Sequence, residues 1–144
     1  MPNPEKKNAE DYPNIRILFV DDDMVTQKLI ANFLSGWNVF FASSGNEALE
    51  KMEKETYSIV LLDYQMPGMD GLELLKKIRE RHGLVQTVMV TGTDDVDTLI
   101  SCLELGASDF ILKPIKKETL LRAIYRTAEK ATRWRRTIRQ LLGH

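Results

Sequence analysis

Short apolar runs alternate with amphipathic stretches along this chain, and that alternation leaves few architectures open. Residues 15–20 (IRILFV) are rich in β-branched and aromatic side chains and stop at Asp21, Asp22 and Asp23, as a buried strand does. Over residues 24–34, Val25, Leu29, Ile30, Phe33 and Leu34 recur with helical spacing, and Gly36 follows as a stop. The same unit repeats. Strands are expected at 38–41, 58–62, 87–90 and 110–112, and helices at 45–54, 71–81, 96–105 and from Lys116 onward. Five strands alternating with five helices predict an α/β fold, a parallel sheet covered on both faces, because right-handed crossovers carry the helices there. In such sheets the reactive crevice lies beyond the carboxyl ends of the strands. Here those ends carry Asp21 to Asp23, Asp63, Thr91, and Lys113 followed by Pro114.

Composition narrows the class further. The chain has 144 residues, 43% of them hydrophobic and 28% charged, a balance expected of one soluble globular domain. No run approaches the roughly 18 apolar residues needed to cross a bilayer, and the polar start lacks the apolar core of a signal peptide, so a cytoplasmic protein without membrane partners is expected. The lone Cys102 excludes an internal disulfide and a cysteine-based zinc site. Before Lys113 there are 19 acids against 10 bases, a net of −9; from Lys113 on there are 10 bases and 2 acids, a net of +8. That asymmetry admits a nucleic-acid-binding or membrane-facing tail, or a solvated helix face.

Carboxylates gathered from separate strands repel one another unless a cation neutralises them. Oxygen-only donors favour a hard cation, and one or two carboxylates, a backbone carbonyl and several waters suit Mg²⁺ better than zinc, with Mn²⁺ as a substitute. A hydroxyl at Thr91 and an ammonium at Lys113 can bind phosphoryl oxygens, and Asp63 can attack phosphorus to give an acyl phosphate. Each residue also has a plain structural use. Asp21 to Asp23 can cap the following helix, Thr91 can simply end a strand, and Lys113 can be a solvated loop lysine. Their joint placement at successive strand ends is what favours the chemical reading.

Through ILFVDDD, VLLDYQMPGMDG, VMVTGT and GASDFILKPI, the chain resembles the receiver domain of bacterial two-component response regulators over residues 15–130. The resemblance implies a doubly wound, flavodoxin-like receiver fold, and a phosphorelay switch rather than an enzyme acting on external substrates. It implies Asp63 as the phosphoacceptor, with a histidine kinase or histidine phosphotransfer protein as donor. Mg²⁺ would be held by Asp22, Asp63 and the backbone carbonyl of Gln65, and by Asp21 through water. Thr91 and Lys113 would contact the phosphoryl group, Thr91 and Phe110 would form the switch, and the surface of helix four, strand five and helix five would change to control a partner or output domain. Phe110 also has the plain reading of core packing. Asp23 is expected to cap the first helix, Gly92 to keep the approach open, and Gln65 and Thr93 to flank the site.

Residues 1–14 are expected to form a disordered arm, and 131–144 a basic helical extension. Leu120, Ile124, Thr127, Ala131, Trp134, Ile138 and Leu141 alternate in steps of four and three, like a heptad seam, so a homodimer through the last helix is one expectation and an attached downstream domain another. The basic residues Arg122, Arg126, Arg133, Arg135, Arg136 and Arg139 come with no DNA-reading module, so nucleic acid is not an expected partner. Two rival readings are a docking or dimerisation module in which phosphorylation is secondary, and a haloacid-dehalogenase-like phosphatase built on Asp21 and Asp23. The second needs an acidic pair after its lysine, where only Glu118 and Glu129 follow Lys113.

Overall fold

The computed structural model describes residues 8–66, 68–92 and 96–143. Its elements run β1 (Arg16–Val20), α1 (Met24–Phe33), β2 (Asn38–Ala42), α2 (Gly45–Lys54), β3 (Ile59–Asp63), α3 (Gly71–Arg81), β4 (Gln86–Thr91), α4 (Val96–Glu104), β5 (Asp109–Leu112) and α5 (Lys117–Leu141). All strand pairs are parallel and the order is β2-β1-β3-β4-β5. The chain winds from β1 outward to β2, then returns across β1 to β3, which places the switch in winding direction between β1 and β3.

Alternation along each central strand divides the core in two, since successive strand residues face opposite ways. Ile17 and Phe19 of β1, Ile59 and Leu61 of β3, and Val88 and Val90 of β4 pack with Ile30 of α1 and Leu120 and Ile124 of α5. Leu18, Val20, Val60, Leu62 and Met89 face the other way, onto Leu49 of α2, Leu74, Leu75 and Ile78 of α3, and Cys102 of α4. Burying a side chain such as Leu75 or Ile78 stabilises the fold by about 2 kcal/mol relative to leaving it in water. Helix starts follow local chemistry: Asp23, Ser44 and Asp70 accept N-terminal backbone hydrogen bonds of α1, α2 and α3.

Two expectations are corrected. Over residues 8–14 the N-terminal segment is folded, not a disordered arm: a 3₁₀ turn (Ala9–Asp11) is closed by a capping box from Asn8, and Tyr12 is buried. Its ring stacks on Trp37 at 5.9 Å, Trp37 in turn meets Tyr125, and the Tyr12 hydroxyl bonds to Glu129 of α5. The aromatic surface gained there offsets the cost of ordering the segment. Residues 1–7 lie outside the described residues. The dimer seam is likewise shorter than its periodicity implies, because Leu120, Ile124, Thr127 and Ala131 are buried against the chain's own sheet face. Only Trp134, Ile138 and Leu141 remain for a partner, with Trp134 49% and Leu141 81% exposed. Arg135 ties the extension to the body by donating to the Asn14 carbonyl and the Ser58 hydroxyl.

Candidate functional site

The expected residues meet at one rim because parallel strands end together. The Asp63 amide belongs to the last position of β3, in register with Val90 of β4, and the neighbouring Tyr64 N–H donates to the Val90 carbonyl at 2.8 Å. Thr91 closes β4 and pairs in register with Leu112, and the Lys113 N–H donates to the Thr91 carbonyl at 2.7 Å. On the other flank the Asp21 N–H donates to Ala42 at the end of β2. Apolar strand interiors therefore deliver Asp21, Asp63, Thr91 and Lys113 to a common edge.

Asp63 is 4% exposed. Its Oδ2 accepts from Lys113 Nζ at 3.0 Å, and its Oδ1 accepts from the Gln65 backbone N–H at 3.1 Å. A carboxylate so enclosed would be costly without a cation beside it, and Lys113 is that cation. The lysine side chain is about one-third exposed, so its ammonium also faces solvent where an incoming group would arrive. Gly92 leaves that approach clear: a Cβ there would come no nearer than 4.0 Å to the Lys113 side chain.

Asp21 is 2% exposed and its carboxyl is pushed up from its ordinary 3.8 to about 6. Burial is the main cause, and the charges of Asp63 and Asp22 add to it, against relief from the Asp23 N–H and from Lys113. The rim thus carries more negative charge than Lys113 neutralises. Asp22 is exposed at the mouth of this rim. Asp23 does cap α1: its carboxylate accepts from the Val25 N–H at 3.1 Å and the Thr26 hydroxyl at 2.7 Å, which hold its pKa below the usual range.

Among the described residues no three acidic, histidine or cysteine side chains stand together as a metal site. The donor set is instead two or three carboxylates of unequal depth beside a backbone turn, all oxygen, with Asp21 raised mainly by burial and further by its acidic neighbours. That set fits a hard divalent cation that keeps several waters, since Mg²⁺ characteristically takes only one or two protein carboxylates.

Thr91 is fully buried at its strand end, and Phe110 is half-buried against the core face that holds Met89 and Cys102. Thr93 lies outside the described residues. Two contributors were not singled out in the sequence. Gln27 of α1 donates from Nε2 to the Asp21 carbonyl at 2.7 Å and so fixes the loop that carries the acids; a polar residue on a helix gives no signal of that reach. Gly71, visible only as a loop glycine, opens α3 directly beneath the acceptor. A Cβ there would lie 2.6 Å from Tyr64 Cα and 2.9 Å from the Asp63 carbonyl.

The phosphatase reading is not favoured by this arrangement. Asp63, which it leaves unexplained, is the carboxylate at Lys113, whereas Glu118 pairs with Arg122 on α5 and Glu129 with Tyr12.

The family model for the response regulator receiver domain matches residues 17–125. The transcriptional regulatory protein ZraR of Escherichia coli (strain K12) is 35% identical over 111 residues, 76% of this chain and 25% of the relative, so the chain spans about a quarter of that protein's length. A crystal structure of a CheY-like response regulator receiver domain protein from Methanospirillum hungatei JF-1 superposes with a TM-score of 0.78 at 31% identity, covering 83% of this chain and 97% of the other. A structure described as adenylate cyclase from Rhodopirellula baltica gives a TM-score of 0.85 at 29% identity, over 91% of this chain and 99% of that one.

Proposed function

The chain belongs to the response regulator receiver domain family, and from that premise we propose that it works as a phosphorylation-dependent switch of a two-component phosphorelay with Asp63 as its acceptor. The observation that carries this reading is the Asp63–Lys113 contact of 3.0 Å at a rim where Asp21 is also buried. A histidine kinase or histidine phosphotransfer protein would present a phosphohistidine. An Asp63 carboxylate oxygen attacks phosphorus, the P–N bond breaks, and its electron pair leaves on the imidazole nitrogen, which takes up a proton.

Asp22, Asp63 and the Gln65 carbonyl would hold Mg²⁺, with Asp21 acting through water, and the cation when bound supplies neutralisation of the phosphoryl and carboxylate charges. Lys113 orients the acceptor before transfer and then bonds a phosphoryl oxygen in place of Asp63 Oδ2. The Gln65 N–H keeps the other carboxylate oxygen in place. Thr91, buried at the next strand end, turns its hydroxyl to the new oxygens, and the half-buried Phe110 ring moves into the space released. The change reaches the exposed side of α4, β5 and α5, where Val96, Ile100, Leu103 and Leu112 are exposed, and there a partner or output domain would read it. This is a regulatory domain whose own chemistry is its phosphorylation and dephosphorylation.

No helix of the described residues is long and apolar enough to cross a membrane. A cytoplasmic setting fits the receiver-domain family to which the chain belongs. A homodimer through α5 would use the reduced stripe of Trp134, Ile138 and Leu141. The direct test is intact mass after incubation with Mg²⁺ and a small phospho-donor, beside Asp63→Asn. One phosphoryl adduct that Asp63→Asn abolishes is expected; labelling that survives the substitution would refute Asp63 as the acceptor.

A further inference from the structure

Beyond Ala131 the last helix leaves the core at the end of the sheet opposite Asp63, where Arg135 reaches Ser58 just ahead of β3. Ala131 is still buried; farther on, Trp134 is 49%, Leu141 81% and Leu142 67% exposed, with Ile138 half-buried among them. Helical geometry gathers these four side chains within an arc of about 100°, a single apolar face.

The same stretch is one-sided in charge. Residues 130–144 contain five bases, Lys130, Arg133, Arg135, Arg136 and Arg139, and no acid. Earlier on α5 the bases are answered, Arg122 by Glu118 and Arg126 by Asp109, and Arg135 is held by the Asn14 carbonyl and the Ser58 hydroxyl. Among the described residues Lys130, Arg133, Arg136 and Arg139 are exposed and form no ion pair. By helical position Lys130 and Arg139 border the apolar face, and Arg133 and Arg136 lie behind it.

We infer that this end of the molecule docks on an anionic bilayer surface, with Trp134, Ile138, Leu141 and Leu142 at the headgroup boundary and the four bases among the anionic headgroups. A face of Trp and Leu bordered by cations lets a helix lie in the interface, and each nearby Lys or Arg adds attraction to anionic lipid. Such docking needs no spanning helix, and none is found among the described residues. Leu84, 63% exposed, lines one recess with Trp134 and carries the apolar contact onto the body. Other occupants would use less of this surface. Nucleic acid would engage the cations but leave Leu141 and Leu142 in water. A second copy would cover the apolar face but set bases against bases, with no acid on the stretch to answer them. The net charge of −9 before Lys113 and +8 from it onward turns the acidic rim away from the lipid, so docking leaves Asp63 facing solvent.

Co-sedimentation of the full 144-residue chain with vesicles tests this, comparing phosphatidylcholine alone with an equimolar mixture of phosphatidylcholine and phosphatidylserine while tryptophan emission is recorded. Binding to the mixed vesicles is expected, at least about tenfold tighter than to phosphatidylcholine, with a blue shift as Trp134 leaves water. It should be lost at about 1 M salt, where the Debye length falls to about 3 Å. Lys130→Glu with Arg139→Glu, and separately Leu141→Glu with Leu142→Glu, should each weaken binding about tenfold or more, with circular dichroism verifying that α5 persists. Asp63→Asn should bind as the parent does. No binding to the mixed vesicles, equal binding to phosphatidylcholine alone, or binding undiminished in the leucine pair would overturn the proposal. So would tighter binding to double-stranded DNA, or a lipid-free dimer through Ile138 in light scattering, which would already cover the face.

Discussion

Asp21 is the residue whose energetics the rim disturbs most. Its folded carboxyl titrates near 6 against 3.8 ordinarily, so between those values the native state binds the extra proton and the unfolded state does not. The contribution of Asp21 to the stability of the metal-free chain therefore falls as pH rises from about 4 to about 6, and is lost above that. Asp21→Asn keeps an oxygen for the Asp23 N–H, now at 2.9 Å, and removes the buried charge. Thermal melts without divalent cation should show the variant more stable at pH 7 by about 1–2 kcal/mol, with the gain vanishing near pH 4. A gain equal at both pH values would sink the argument. Saturating Mg²⁺ should raise the melting temperature of the parent at pH 7 and do so much less for Asp21→Asn and Asp22→Ala. Lys113→Ala leaves Asp63 buried without its cation; such a protein should still bind Mg²⁺, yet lose the conformational response to phosphorylation, read as altered amide shifts around Phe110 and Leu112.

The elements succeed or fail at their ends. β3 stops at Asp63 and α3 begins at Gly71, and the turn between them folds back so closely that the Gly71 N–H donates to the Tyr64 carbonyl at 2.9 Å. Gly71→Ala forces backbone against backbone, not against a pliable side-chain tip. It should cost about 2–3 kcal/mol in denaturant melts and should also slow Asp63 labelling, because the displaced strand end carries the acceptor. Gly68→Ala is the control: its φ of +85° is strained for alanine, but no atom lies within 4 Å of the added Cβ. It should cost about 1 kcal/mol and leave labelling closer to the parent's.

Across the whole molecule, the N-terminal segment and the end of α5 are joined into one lower edge. Tyr12 spans Trp37 and Glu129, and Arg135 spans Asn14 and Ser58. Tyr12→Ala removes a buried ring and should destabilise the chain by about 3 kcal/mol. Hydrogen exchange should report opening at both the start of β1 and residues 129–135 of α5; an effect confined to the N-terminus would show that the two are not coupled. The stripe beyond this edge is short, so Ile138→Arg should shift any homodimer toward monomer in light scattering without lowering the melting temperature of the monomer. One basic charge of α5 is already paired within the chain, since Arg126 bonds Asp109 at 2.7 Å on the surface.

Much of the molecule could be read before any coordinates, and the reason is locality. Strand and helix periods repeat over a few residues, so the helices 45–54 and 71–81 fall where their apolar spacing puts them, and parallel strands must end together, so Asp21, Asp63, Thr91 and Lys113 share an edge. Contacts between distant segments leave no such trace. That Leu120, Ile124 and Ala131 are spent on the chain's own core rather than on a second chain depends on where α5 lies against β3, β4 and β5. That Tyr12 is buried depends on Trp37 and Tyr125 being brought to it from 25 and 113 residues away. A seam and an arm have the same local pattern whether or not a sheet lies underneath, and only packing decides which apolar faces find a partner within the chain and which, like Trp134 and Leu141, are left exposed.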